Sequence, residues 1–151
     1  MSQPLSAGVQ PDEPFRMAPA ATGARILIVD PDRDELASVE DALQAGGYFT
    51  ATAFNAFGAV VTVNRTGAFD LLITAIEMPG MTGVELTRAL RQRDASLQVL
   101  FLTSCHAELF GRVLLTPDDD TIEKPFSDVE LLETVEALLL WRRRRTGVRG
   151  R

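Results

Sequence analysis

Three polar residues stand at the ends of short apolar runs, where a folded chain could do chemistry with them. Asp30 follows Arg25-Ile-Leu-Ile-Val29, Thr103 follows Val99-Leu-Phe-Leu102, and Lys124 leads into Pro125-Phe126. A carboxylate, a hydroxyl and an ammonium are the makings of a small acidic pocket with one inserted cation. Lys124 is the only lysine among 15 basic side chains. A solvated face has no need of that choice, whereas an acidic pocket that admits a compact ammonium does. A fourth run, Leu71-Leu-Ile-Thr-Ala75, leads toward the turn Met78-Pro79-Gly80, but it ends in a methyl group.

Other chemistries are excluded by inventory. Cys105 is the only cysteine, so there is no intramolecular disulfide and no thiolate cluster. His106 is the only histidine, which rules out a His-rich metal site and leaves little room for a Ser/His/Asp triad. Asp118-Asp119-Asp120 reads as a solvated loop, because three consecutive carboxylates do not converge on one ion without special geometry. There is no phosphate-binding glycine loop and no dinucleotide fingerprint, so no enzymatic activity is expected.

The elements that must position these residues follow from periodicity. Residues 1–24 hold four of the eight prolines and few large apolar side chains, and are expected to form a disordered arm. Arg25 to Val29, Tyr48 to Ala53, Leu71 to Ala75, Val99 to Leu102 and Thr121 to Glu123 read as strands. Helices are expected from Glu35 to Leu43, from Ala56 to Asn64 with Phe57, Val60, Val61 and Val63, and beyond Gly83 with Leu86 and Leu90. A short helix is expected around Ala107 to Leu114. In the last helix, Ser127 and Glu130 have capping-box spacing, and Val129, Leu131, Leu132, Val135, Leu138 and Leu139 trace one face as far as Trp141 or into the arginines. Strands alternating with helices imply an α/β fold with a doubly wound, five-stranded parallel sheet, whose sites form beyond the carboxyl ends of the strands.

Charge is divided unevenly. Residues 142–151 carry six arginines, which leaves residues 1–141 with nine basic against 21 acidic side chains, a balance of −12. No apolar run is long enough for a membrane span and no secretory leader is recognisable, so a cytoplasmic protein is expected.

Over roughly residues 25–142 the chain resembles the receiver domain of bacterial two-component response regulators. The resemblance rests on Ile26-Leu-Ile-Val-Asp30, Met78-Pro79-Gly80-Met81-Thr82-Gly83, Leu102-Thr103-Ser104 and Lys124-Pro125-Phe126, in that order. It implies a flavodoxin-like fold with strand order 2-1-3-4-5. It also implies a site in which two acids after strand one hold Mg²⁺, an aspartate after strand three accepts a phosphoryl group, and a hydroxyl and a lysine bind the phosphate. By position, Asp30 matches the first acid, Thr103 the hydroxyl and Lys124 the lysine, with Asp32 a displaced second acid.

Three positions depart from the pattern. Pro31 stands where the second acid belongs, Ala75 where the phosphoacceptor belongs, and Thr121 where an aromatic residue is usual. A methyl carries no nucleophile, so phosphotransfer to Ala75 is chemically impossible. Thr74 should point to the opposite face from Ala75, and Glu77 in the turn is the better substitute acceptor. Mg²⁺ binding is expected to be weak or absent, and Lys124 is left to pair with Asp30.

The resulting expectation is a stand-alone, phosphorylation-independent interaction module that docks on a sensor kinase, a phosphotransferase or another regulator, with 143–151 a basic tail and no output domain following. Two alternatives remain. Ala75 could be an introduced substitution in a phosphorelay-competent regulator, although Pro31 and Thr121 would then go unexplained. The Arg142–Arg145 run could contact nucleic acid, although the body is acidic and no aromatic residues interleave the arginines. A plainer α/β domain, with Asp30 capping a helix and Lys124 at the surface, leaves the co-occurrence of four segments unexplained.

Overall fold

The computed structural model describes residues 23–104, 116 and 118–149, with side chains through Trp141. Cys105, His106 and the expected helix around Ala107 to Leu114 lie outside the described residues, as does nearly all of the arm 1–24. Five strands form one sheet: β1 Arg25–Val29, β2 Phe49–Ala53, β3 Leu71–Ala75, β4 Gln98–Thr103 and β5 Asp119–Glu123. All four pairings are parallel and the order is β2-β1-β3-β4-β5, as the resemblance implied. The described helices are α1 Arg33–Ala45, α2 Ala56–Thr66, α3 Gly83–Arg91 and α4 Asp128–Arg149.

Period-two alternation divides each central strand between two cores. Ile26, Ile28, Leu71, Ile73, Leu100 and Leu102 face α1 and α4, where they meet Leu36, Val39, Leu131 and Val135. Leu27, Val29, Leu72, Val99 and Phe101 face α2 and α3, against Ala56, Ala59, Leu86 and Leu90. Burial on both faces is why these strands read as unbroken apolar runs.

Helix phases are fixed at their caps. Asn55 Oδ1 accepts the Gly58 N–H at 2.7 Å and starts α2 so that Ala56, Ala59, Val60 and Val63 form its inward stripe. Phe57, named with Val60, Val61 and Val63 as marking this helix, lies out of phase with that stripe and is 79% exposed. Val129 is corrected: α4 buries Leu131, Val135, Leu138 and Leu139, and Val129 lies two residues off that stripe and is exposed. Ser127 Oγ accepts the Glu130 N–H at 3.0 Å, and the helix runs on into the arginines.

The triple aspartate is not a solvated loop. Asp119 and Asp120 open β5, in register with Val99 and Leu100, and the buried Asp119 carboxylate is paired with Arg91. The same guanidinium donates to the Leu97 carbonyl from Nε at 3.0 Å and from Nη2 at 2.7 Å, so it ties the end of α3 to the start of β4 and β5. Burial of the strand's first carboxylate is tolerated because this cation neutralises it.

The turn after β3 depends on two glycines. Gly80 follows Pro79 with φ +84°, a conformation that side chains with a Cβ rarely adopt. Gly83 begins α3 so close to the strand that an added Cβ would lie 2.1 Å from the Ala75 carbonyl oxygen, and its N–H donates to the Ile76 carbonyl at 2.8 Å.

Tyr48 precedes β2 with its hydroxyl buried and without a hydrogen-bond partner among the described residues. Burial, with the nearby Glu136 carboxylate, pushes the phenol up to about 12. Replacing Tyr48 by Phe removes no hydrogen bond and relieves the desolvated oxygen, so urea unfolding of Y48F should show unchanged or higher stability, by up to roughly 1 kcal/mol. A loss of that size would mean that the hydroxyl has a partner.

Candidate functional site

The chain reverses its winding between β1 and β3, which makes the carboxyl ends of these two adjacent strands the natural place for a site. Asp30 and Ala75 occupy those ends. Asp30 continues β1 and its N–H donates to the Ala53 carbonyl, while Ala75 is in register with Leu102. Thr103 closes β4, and its carbonyl accepts the Lys124 N–H at 2.8 Å, which brings the lysine to the same end of the sheet. The Lys124–Pro125 peptide bond is cis. Four residues expected to surround one pocket are therefore brought together.

Asp30 is the best-held of them. Its side chain is 2% exposed; Oδ2 accepts from Lys124 Nζ at 3.0 Å and Oδ1 accepts the Asp32 N–H at 2.9 Å. Both oxygens are thus engaged by donors. Asp32 has turned away from Asp30 with its side chain, because its Oδ1 accepts the N–H groups of Asp34 and Glu35 and caps α1. The carboxylate that caps the helix is thus Asp32, and Asp30 binds the lysine.

The departures from the pattern have visible consequences. Ala75 is buried and contributes no polar side-chain atom. Thr74 is fully buried, and its hydroxyl donates to the Ala75 carbonyl at 2.9 Å, so it is not exposed for attack on anything. Glu77 lies exposed in the turn, Pro31 is exposed beside Asp30, and Thr121 sits half-buried in β5 opposite Phe101. Thr103 is buried at 3% exposure.

Sequence reasoning missed one member of the cluster. Glu35, in the first turn of α1, is held above the usual carboxylate range chiefly by burial; the Asp30 and Asp32 carboxylates add to the rise, and Lys124 opposes it. The spacing Asp32-x-x-Glu35 carries the signal, since it places a carboxylate in the first helical turn above the pocket.

Concavities lie at both ends of the sheet. A groove of about 610 Å³ lies at the carboxyl ends of β1, β2 and β3, lined by Pro31, Phe54, Phe57, Val60, Pro79 and Met81. A cavity of about 280 Å³ lies at the amino ends, between α2 and α3, with Leu27, Leu72, Leu90 and Leu97 in its wall. The second is remote from Asp30 and Lys124. No group of three or more His, Cys, Asp or Glu side chains among the described residues is arranged to hold a metal ion. No helix among them is long and apolar enough to cross a membrane.

Comparison with known proteins gives these positions their context. Residues 26–136 match the family described as the response regulator receiver domain. The transcriptional regulatory protein PrrA of Mycobacterium tuberculosis is 39% identical over 127 residues, which is 82% of this chain and 53% of that protein. The chain thus spans about half the length of PrrA. The response regulator receiver protein CpdR of Brucella abortus is 32% identical over 122 residues, covering 77% of this chain and 97% of CpdR. The crystal structure of a response regulator receiver protein from Sinorhizobium medicae superposes with a TM-score of 0.72 at 25% identity, over 80% of this chain and 97% of that one. With the sheet order, the strand-end cluster and the family match in agreement, the chain belongs to the response regulator receiver domain family of two-component signalling.

Proposed function

We propose that this receiver domain signals without accepting phosphate, as a protein-interaction module for a sensor kinase, a phosphotransferase or another regulator, and that it is not an enzyme. The observation that carries the reading is the engagement of both Asp30 oxygens, by Lys124 Nζ and the Asp32 N–H, beside a methyl group at position 75. The ammonium that would bind a phosphate oxygen is instead spent on a carboxylate. No nucleophile faces it from the end of β3.

The donor set does not fit Mg²⁺. That ion requires near-octahedral oxygen coordination at about 2.0–2.1 Å, usually from one or two carboxylates plus waters and phosphate. Pro31 and Ala75 supply no carboxylate, Asp32 is committed to the α1 cap, and Asp30 would have to give up its lysine. Asp30, Asp32, Thr103 and Lys124 are therefore read as the structural remainder of a receiver pocket, with Pro31, Ala75 and Thr121 the altered positions. The Lys124–Asp30 pair supports a pocket fixed in one state.

Incubation with Mg²⁺ and a small phosphoryl donor such as acetyl phosphate should leave the intact mass unchanged, and NMR titration with Mg²⁺ and beryllofluoride should give no saturable shifts around Thr103. A stable phosphoryl adduct, at Glu77 or elsewhere, overturns the reading.

Replacement of Lys124 by Met should cost about 2–4 kcal/mol in urea unfolding at neutral pH, because it strands a buried carboxylate. The double change with D30N should restore much of that loss. Equal losses in the single and double variants would show that the pair contributes packing rather than charge compensation.

Glu35 tests the field around the pair by its pH dependence. Its carboxyl is raised in the fold above the ordinary value of 4.5, so the folded state holds the proton more tightly than the unfolded chain. The contribution to stability is thus fully present below pH 4.5 and lost as the pH rises through the raised value. E35Q should be the more stable protein at pH 7, and its advantage should shrink on acidification toward pH 4.5. An advantage independent of pH would show that ionisation of Glu35 is not its source.

A further inference from the structure

Among the described residues the large apolar side chains left exposed are few, and three of them converge. Phe54 is 44% exposed, Phe57 79% and Met81 38%, and all three line the groove at the carboxyl ends of β1, β2 and β3. Exposed aromatic and Met side chains around one concavity mark a contact surface rather than scatter. The loops and helix start that form it also carry the exposed acids Asp32, Asp34 and Glu77. The cation fixed at its edge is Arg33, 4.3 Å over the Phe54 ring. The groove is apolar inside, and the segments that form it carry three carboxylates against one guanidinium.

Its chemical complement is on the same chain. Trp141 is 42% exposed in the carboxyl-terminal half of α4, and the sequence continues with Arg142, Arg143, Arg144 and Arg145 in the same helix, which runs to Arg149. An indole followed by guanidinium groups has the composition that an apolar groove formed by net acidic segments selects.

The two cannot meet within one molecule. Trp141 Nε1 donates to Asp118 Oδ1 at 3.4 Å, which places it beside the residue preceding β5, at the amino ends of the strands. The groove is at the carboxyl ends, on the α2 and α3 side of the sheet, whereas α4 packs on the other side. Complementary patches at opposite poles generate a heterologous contact, which does not close on itself unless a rotation happens to do so.

We propose that the Trp141–Arg145 end of α4 in one copy seats in the Pro31–Phe54–Phe57–Met81 groove of the next, so that copies of this chain associate head to tail. The contact involves neither phosphate nor a metal, and it stands whether or not the receiver pocket accepts a phosphoryl group. Its electrostatic part is screened by salt, because the Debye length falls to about 3 Å at 1 M.

Sedimentation equilibrium of the full chain tests the proposal. The average mass should rise above the 16.5 kDa of the monomer with loading concentration, continue past the dimer, and fall back in high salt. Phe57→Ser, at an exposed position, removes the groove's apolar anchor; changing Arg142, Arg143, Arg144 and Arg145 together to Ser removes the basic end. Each variant alone should remain a monomer with an unchanged circular dichroism spectrum. A mixture of the two should form a one-to-one dimer, because one variant keeps an intact end of α4 and the other an intact groove. A monomer at every concentration, a dimer that grows no further, or association insensitive to both sets of changes overturns the proposal.

Discussion

The 3.0 Å contact between Lys124 Nζ and Asp30 Oδ2 joins residues 94 apart in sequence, and the upper end of the domain is organised by it. A carboxylate as buried as Asp30 is costly unless it is paired and hydrogen-bonded. Lys124 supplies the pairing and the Asp32 N–H supplies the second bond. The β1–α1 junction and the loop after β5 are thereby connected across the top of the sheet.

The opposite end is secured by a second cation. Arg91 neutralises Asp119 and satisfies the Leu97 carbonyl, which fixes the amino ends of β4 and β5 against the end of α3. The two ion pairs thus brace the sheet at its two ends, with the apolar cores on either face between them. Both pairs link a loop-proximal acid to a cation far away in sequence. Each therefore reports on tertiary structure rather than on local helix or strand propensity.

The central strands and the pocket were legible because their signals are local and redundant. Ile26 to Val29 and Leu71 to Ile73 are buried on both faces, so composition alone marks them. Lys124 was conspicuous because no other lysine accompanies it. What sequence reasoning misread or left open depended on phase or on distant partners. Phe57 and Val129 belong to apolar stretches whose inward faces are decided by a cap and by neighbouring small residues. Asp119 looked solvated because Arg91, 28 residues away, is invisible to any local rule. Glu35 was read as one member of a helical repeat, and its place in the field of Asp30, Asp32 and Lys124 emerged only once the strand ends were assembled.

The N–H that Asp32 donates to Asp30 belongs to the residue that caps α1, so the pocket and the first turn of that helix share a hinge of a single peptide unit. Any ligand that draws the Asp30 carboxylate out of its present position must also disturb that peptide unit, and with it the two amides that Asp32 Oδ1 accepts. The affinity of the pocket is therefore coupled to helix fraying.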